Sequence, residues 1–315
     1  EFRRVLFRSQ ELPWRGWMER ALQLAALGRG RTSPNPMVGC VIVHSDRIIA
    51  EGWHKIFGGP HAEVHALRAA GERARDAVLY VTLEPCCHHG RTPPCTDAVL
   101  AAGVRRVVVG CADPAPHVAG RGLQQLRAAG LVVEEGVCGV EATSLIAPFV
   151  RLQLQQRPWV HAKWAMTLDG RVASRTGHSR WISGTSSLQY VHVLRSRMEA
   201  IVTGAGTVRT DDPQLTVRLT EAGESEFPAA ARVPLRVVLD TQLTMPLTSQ
   251  LASGRLPGAT LVVGVDDGTA DWASRRASLA RGGVEVASVG PCVDGRPAVA
   301  AVLDLLGARG VTTLL

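Results

Sequence analysis

No apolar run in this 315-residue chain approaches the roughly 18 to 20 residues that a membrane helix needs, although 46% of the residues are hydrophobic. A membrane protein is therefore not expected, and with no secretory signal in view the expectation is a cytoplasmic protein. Cysteine is scarce. Cys40, Cys86, Cys87, Cys95, Cys111, Cys138 and Cys292 are odd in number and unevenly spread, which argues against a disulfide framework. Aromatic residues are only 4%, too few for the base-stacking platforms of a nucleic-acid binder, so no nucleic acid is expected as a partner. Lysine is almost missing: apart from Lys55 and Lys163, the basic side chains behind the formal net charge of +7 are scattered arginines. An excess of charge with no basic run suits a small anionic substrate, and it is equally a compositional habit.

The length suffices for two domains, each with its own core. The opening EFRRVLFRSQ has no period linking it to the helix after it, so residues 1–12 are read as foreign or misjoined sequence and kept out of the fold argument. From Trp17 an apolar-faced helix is expected up to Gly28, then strands VGCVIVH and RIIAEGW around a turn at Ser45 and Asp46. Pro60 is expected to open the helix that carries HAEVHAL. AVLYVTL, VRRVVVGC and LVVEEGV read as strands alternating with helices TDAVLAAG and GRGLQQLRAAG, and EATSLIAPFVRLQLQ as one helix. Such alternation gives an α/β fold with a mixed or parallel sheet between helices. A second α/β unit starts after Pro158 with a strand WVHAKWAM and continues through AIVTG, LRVVLD, TLVVG, VEVAS and VTTLL.

The chemistry lies between His61 and Cys95, in HAEVHAL and then PCCHHGRTPPC. His61 and Glu63 stand two apart, Pro85 precedes Cys86, and Cys95 follows after eight residues. One imidazole and two thiolates leave the fourth tetrahedral position of a zinc ion open, which marks a catalytic rather than a structural site. Glu63, not needed as a ligand, can carry protons. This is the zinc deaminase pattern, H-x-E followed by P-C-x-x-C, with its second half stretched. A closed structural site would supply four ligands in two close pairs, and no such pair is present. Cys87, His88 and His89 could compete for the metal. Cys87 reads as a bystander, because Pro85 fixes the chain ahead of Cys86.

HAEVHAL, TLEPCCHHGRTPPC, SPNPMVGCVIV and DPAPHVAGRG together resemble the bifunctional riboflavin biosynthesis deaminase/reductase family over roughly residues 17–315. The resemblance implies a cytidine deaminase-like three-layer domain over 13–155. It would deaminate 2,5-diamino-6-ribosylamino-4(3H)-pyrimidinone 5′-phosphate, with Zn2+ on His61, Cys86 and Cys95 and Glu63 as proton shuttle. Asn35, held between two prolines, would meet the ring edge, and His54, His88 and Arg91 would be further substrate contacts. Arg91 suits phosphate because its planar fork can bind two oxygens.

Residues 156–315 resemble the NADPH-dependent reductase domain of the same family, of dihydrofolate reductase-like fold, through AKWAMTLDGRVA, SRWISG and TGAGTVRTDDPQLTVR. The matches place Ala165, Trp181, Thr207, Asp211 and Thr241 by NADPH, and Ser179, Arg195, Leu215 and Arg218 at the substrate. Lys163 is either a substrate contact or a lysine snorkelling from an edge. The chain stops at VTTLL, where the family continues into a VEGGPTLA-like turn. The carboxy-terminal end of the reductase domain is therefore expected to be missing, at a cost to NADPH binding. The partner is expected to be a small phosphorylated pyrimidine, and a homo-oligomer is compatible with the pattern.

Two rivals remain at the level of sequence. A nucleoside or nucleic-acid deaminase of the same superfamily would show CxxC spacing. A noncatalytic zinc-binding module would not need Glu63.

Overall fold

A computed structural model describes residues 13–90, 92–115, 118–179, 181–219 and 233–315. The chain divides into two compact units, the first ending at Leu154 and the second starting at Gln155.

The first unit runs α1 (Pro13–Ala26), β1 (Gly39–His44), β2 (Arg47–Trp53), α2 (Ala62–Ala70), β3 (Val78–Leu83), α3 (Cys95–Ala101), β4 (Arg106–Cys111), α4 (Arg121–Ala128), β5 (Val132–Glu135), α5 (Gly139–Leu145) and α6 (Ala147–Gln155). Its sheet has the order β2-β1-β3-β4-β5. β1 pairs antiparallel with β2 and β3, whereas β3, β4 and β5 are parallel. Strand side chains alternate between faces, and the core follows that alternation. Cys40, Ile42, Leu79, Val81, Val107 and Val109 pack under α2, α3 and α4. Val41, Val43, Tyr80 and Val108 face the other way, against Met18, Ala21 and Leu24 of α1. Each large side chain buried there contributes about 1.5–3 kcal/mol.

The hairpin turn is tight because Ser45 and Asp46 both adopt positive φ (49° and 56°), the geometry that joins two twisted strands with two residues. Two glycines let helices rest directly on the hairpin. A Cβ on Gly39 would lie 2.0 Å from the Ala21 carbonyl oxygen of α1, and one on Gly52 would lie 2.4 Å from that of Ala62 in α2.

The second unit contains β6 (Trp159–Val160), α7 (Thr185–Ser196), β7 (Ala200–Gly204), α8 (Ala205–Asp211), β8 (Leu235–Leu239), β9 (Thr260–Gly264), α9 (Ala270–Arg281), β10 (Glu285–Ser288), α10 (Val299–Ala308) and β11 (Thr313–Leu314). The strands lie in the order β10-β9-β8-β7-β11-β6, and every pairing among the described residues is parallel. Parallel pairing needs crossovers, which the helices supply. Both faces are covered, with Val237, Leu261 and Val263 on one side and Val238 and Val262 on the other.

Three expectations from the sequence need correction. The helix expected over EATSLIAPFVRLQLQ is two helices, separated at Ile146. Pro148 has no N–H to donate and sits in the first turn of α6, where none is required. The strand WVHAKWAM is only Trp159–Val160, and Lys163, Trp164 and Met166 are exposed beyond it. Pro60 lies outside α2, one residue before the N-cap His61.

Candidate metal and catalytic site

The site is built where β3 ends and where α2 and α3 begin. His61 is the N-cap of α2 in extended backbone conformation, so its ring is set just ahead of the helix while Glu63 enters the first turn. Cys86 follows the apolar β3 after Glu84 and Pro85. Cys95 is the first residue of α3, after the N-cap Pro94. The helix starts add a partial positive charge that favours thiolate and carboxylate.

These pieces converge. The nearest ligand atoms of His61, Cys86 and Cys95 all lie within 4.8 Å of one another. His61 Nδ1 is 3.2 Å from Cys95 Sγ and 3.5 Å from Cys86 Sγ. The Cys95 backbone N–H donates to Cys86 Sγ at 3.4 Å. Zinc bonds of about 2.0–2.3 Å in a tetrahedron put neighbouring ligand atoms roughly 3.5–3.8 Å apart, so one imidazole nitrogen and two sulfurs at these spacings fit a zinc ion. Cys87, His88 and His89 are not part of this group.

Electrostatics mark the same place. Burial pushes the Glu63 carboxyl up to about 7, against the pull of His61. Its residue is only 3% exposed. A hydrogen bond with Cys95 pulls the Cys86 thiol down to about 4, while Cys95 moves up. Without metal, the two sulfurs thus behave as one thiol–thiolate pair. The hydrogen bond to Cys86 raises His61, whereas burial lowers His54.

A cavity of about 330 Å3 opens onto this group and is lined by Asn35, His54, His61, Glu63, Cys86 and His88, among others. His54 stands edge-on to His61, with ring centroids 5.4 Å apart at 88°. His54 Nδ1 is 3.1 Å from the Pro60 carbonyl oxygen, an acceptor, so the proton sits on Nδ1. That leaves the buried Nε2, which has no hydrogen-bond partner, as an acceptor for a ligand. Arg91 lies outside the described residues.

Sequence reasoning missed much of the lining, Glu84, Asp113, Phe149 and Gln153 among it. Glu84, an acid closing an apolar strand, and Asp113, inside DPAPHVAGRG, carried a readable signal. Phe149 and Gln153 arrive from α6 by tertiary packing alone.

In the second unit, Arg195 on α7 donates to the Thr216 carbonyl at 3.4 Å, and its buried Nε has no partner. Burial and the charge of Arg218 both lower its pKa. Arg218 donates to Gln214 Oε1 (2.7 Å) and Thr216 Oγ1 (2.8 Å), and its backbone N–H to His192 Nδ1 (3.2 Å). Leu215 is buried between them in sequence, at φ 52°. Thr207 and Asp211 lie on α8 after β7, and Thr241 follows β8, so these three share the carboxyl ends of neighbouring strands. Ala165, Ser179 and Trp181 sit instead on the irregular stretch between β6 and α7, where Lys163 and Trp181 are exposed. Among the described residues no helix is long and apolar enough to cross a membrane.

Residues 14–111 match the cytidine and deoxycytidylate deaminase zinc-binding region, and residues 158–315 match the RibD C-terminal domain. The riboflavin biosynthesis protein RibD of Aquifex aeolicus (strain VF5) is 46% identical over 237 residues, which cover 75% of this chain and 64% of that protein. RibD of Escherichia coli (strain K12) is 45% identical over 260 residues, covering 81% of this chain and 70% of that protein. The match therefore spans about two thirds of the length of these relatives. A crystal structure of a diaminohydroxyphosphoribosylaminopyrimidine deaminase/5-amino-6-(5-phosphoribosylamino)uracil reductase from Thermotoga maritima aligns at 37% identity with a TM-score of 0.80, covering 96% of this chain and 80% of that one. With a deaminase-type zinc-binding region in its first unit and a RibD C-terminal domain in its second, the chain belongs to the RibD family of riboflavin biosynthesis proteins.

Proposed function

We propose that the first unit is a zinc-dependent hydrolase that replaces an amino group of 2,5-diamino-6-ribosylamino-4(3H)-pyrimidinone 5′-phosphate by oxo, releasing ammonia. The observation that carries this reading is Glu63, buried beside His61, Cys86 and Cys95 in the wall of a substrate-sized cavity. His61, Cys86 and Cys95 would hold the metal. Zinc, when bound, lowers the pKa of water from about 15.7 to about 7 and so supplies the nucleophile at neutral pH.

Glu63 does the proton work. Its carboxyl, buried beside the three candidate ligands, would take a proton from water and give it to the departing amine. Asn35 and the His54 Nε2 acceptor would orient the ring, and His88 with Arg91 would meet the phosphate-bearing end. A noncatalytic zinc module would have no use for a carboxyl held at such a desolvation cost. A nucleic-acid deaminase would need aromatic stacking surfaces, and among the described residues only Phe57 and Phe149 bring a phenyl ring to the cavity.

In the second unit we place the reduction of the ribosyl chain to ribityl by NADPH. Ala165, Trp181, Thr207, Asp211 and Thr241 would lie by the cofactor, and Ser179, Arg195, Leu215 and Arg218 by the substrate. Burial and the nearby charge of Arg218 both lower the pKa of Arg195, and an anionic ligand there would offset that cost. NADPH supplies the hydride when bound, and the protein's part is to orient it against the sugar.

Mass spectrometry of the diaminopyrimidine ribosyl phosphate after incubation with zinc-loaded protein and NADPH tests both halves. Exchange of amino for oxo is the result expected of the first unit, and a further gain of two hydrogens that of the second. Unchanged substrate with zinc present in the protein would overturn the deaminase reading.

A further inference from the structure

Glu84 is an acid in the wrong place for a surface residue. It directly follows β3, is 3% exposed, and stands two positions before Cys86. Its own N–H continues the sheet ladder by donating to the Cys111 carbonyl at 3.0 Å. Its carboxylate collects backbone N–H groups from the segment after β4. Oε2 accepts from Asp113 (3.1 Å) and Gly120 (2.9 Å), and Oε1 from Gly122 (2.9 Å), with Leu123 at 3.4 Å.

The donors come from both ends of one loop. Asp113 leaves β4, and Gly120, Gly122 and Leu123 form the N-cap and first turn of α4. A carboxylate is suited to that position because it is acceptor-only, with room for about four bonds, and because helix N–H groups at a first turn have no partner within the helix. The fit is close. A Cβ on Gly122 would lie 2.2 Å from the Pro85 carbonyl oxygen, so α4 starts directly on the segment leading to Cys86. Between the tied ends, Asp113, Ala115 and Val118 line the cavity that holds Glu63 and His61.

We propose that Glu84 is a positioning residue of the deamination site: by accepting the Asp113, Gly120 and Gly122 N–H groups it holds Asp113, Ala115 and Val118 in the wall of the substrate cavity against the strand end that leads to Cys86. This rests on the deaminase reading of that cavity. Glu84 acts through the wall, so its loss affects how substrate is held more than how protons move. A Gln in its place turns one acceptor oxygen into a donor facing N–H groups, and an Asp keeps the charge but withdraws it by one methylene.

The test is steady-state deamination by the zinc-loaded chain, wild type against Glu84→Gln and Glu84→Asp, with zinc content and amide exchange measured on each. The expected result for E84Q is retained zinc, faster exchange at Asp113, Gly120 and Gly122, and KM raised about tenfold or more with kcat within about threefold, the pattern of lost substrate binding. E84D should fall between E84Q and wild type, and it carries the test should E84Q fail to fold. A KM equal to wild type in a folded, zinc-loaded variant overturns the proposal alone. A wild-type protein that leaves the substrate unchanged overturns the deaminase reading and this role with it.

Discussion

His61 Nδ1 lies 3.2 Å from Cys95 Sγ across 34 residues of sequence, each group standing at the start of its own helix. With Cys86 beside them, they form a set of ligand atoms already at the spacing a zinc ion requires. Replacing Cys86 or Cys95 by Ser is expected to weaken zinc binding by more than about 100-fold, beyond the cost of losing an outer hydrogen-bond partner. Competition with a chromophoric chelator measures this. Chelation of the wild type should also lower its melting temperature, since a ligand at 100 times its Kd adds about 2.7 kcal/mol of stability.

Glu63→Gln keeps the shape and removes the proposed proton carrier. Turnover should fall roughly 10²- to 10⁴-fold with zinc content unchanged. Single-turnover deamination and metal analysis on the same sample check the two halves of that statement. Retained turnover would sink the proton-shuttle role.

The raised Glu63 carboxyl also sets a pH dependence for the metal-free protein. Its folded pKa, about 7, lies above the ordinary 4.5, so the folded state holds the proton more tightly. The stability it contributes is fully present below about pH 4.5 and lost as pH rises through about 7. Since one pKa unit corresponds to about 1.4 kcal/mol, the loss is on the order of 3 kcal/mol. Denaturant melts of metal-free wild type and E63Q between pH 5 and 8 should show the wild type losing ground steadily. Parallel curves would contradict the assignment.

Gly52→Ala tests how α2 is seated. The new methyl group would meet the Ala62 carbonyl oxygen and, at 2.5 Å, the Ala66 nitrogen, so α2 must lift. Overpacking of this kind costs about 1–3 kcal/mol. Because α2 carries Glu63 and is capped by His61, zinc affinity should drop along with the melting temperature. An equilibrium unfolding curve and a zinc titration on the same variant would show whether both move.

Much of the fold and of the candidate metal site is legible in the sequence for local reasons. His61 and Glu63, and Cys86 and Cys95, are close enough in sequence for their spacing to report their chemistry, and alternating runs such as VGCVIV show their two faces directly. The features that escape a sequence reading depend on distant partners. The strand expected through Met166 is only Trp159–Val160, because an apolar run is held as a strand only where a distant strand pairs with it, and that pairing cannot be read from the run itself. The break at Ile146 is the exception, since Pro148 signals it locally. Glu84 reads only as a strand end because the N–H groups it accepts from, those of Asp113 and Gly122, lie well downstream.

Gly39 touches α1 and Gly52 touches α2, on opposite faces of the β1–β2 ribbon, while the register sets Gly39 opposite Trp53 and Cys40 opposite Gly52. The open end of the ribbon is thus clamped between two helices. Ser45 and Asp46, at the turn that closes the other end, are exposed. A fluorophore or an affinity handle set between them would ride on the unit while leaving the helix that carries Glu63 undisturbed.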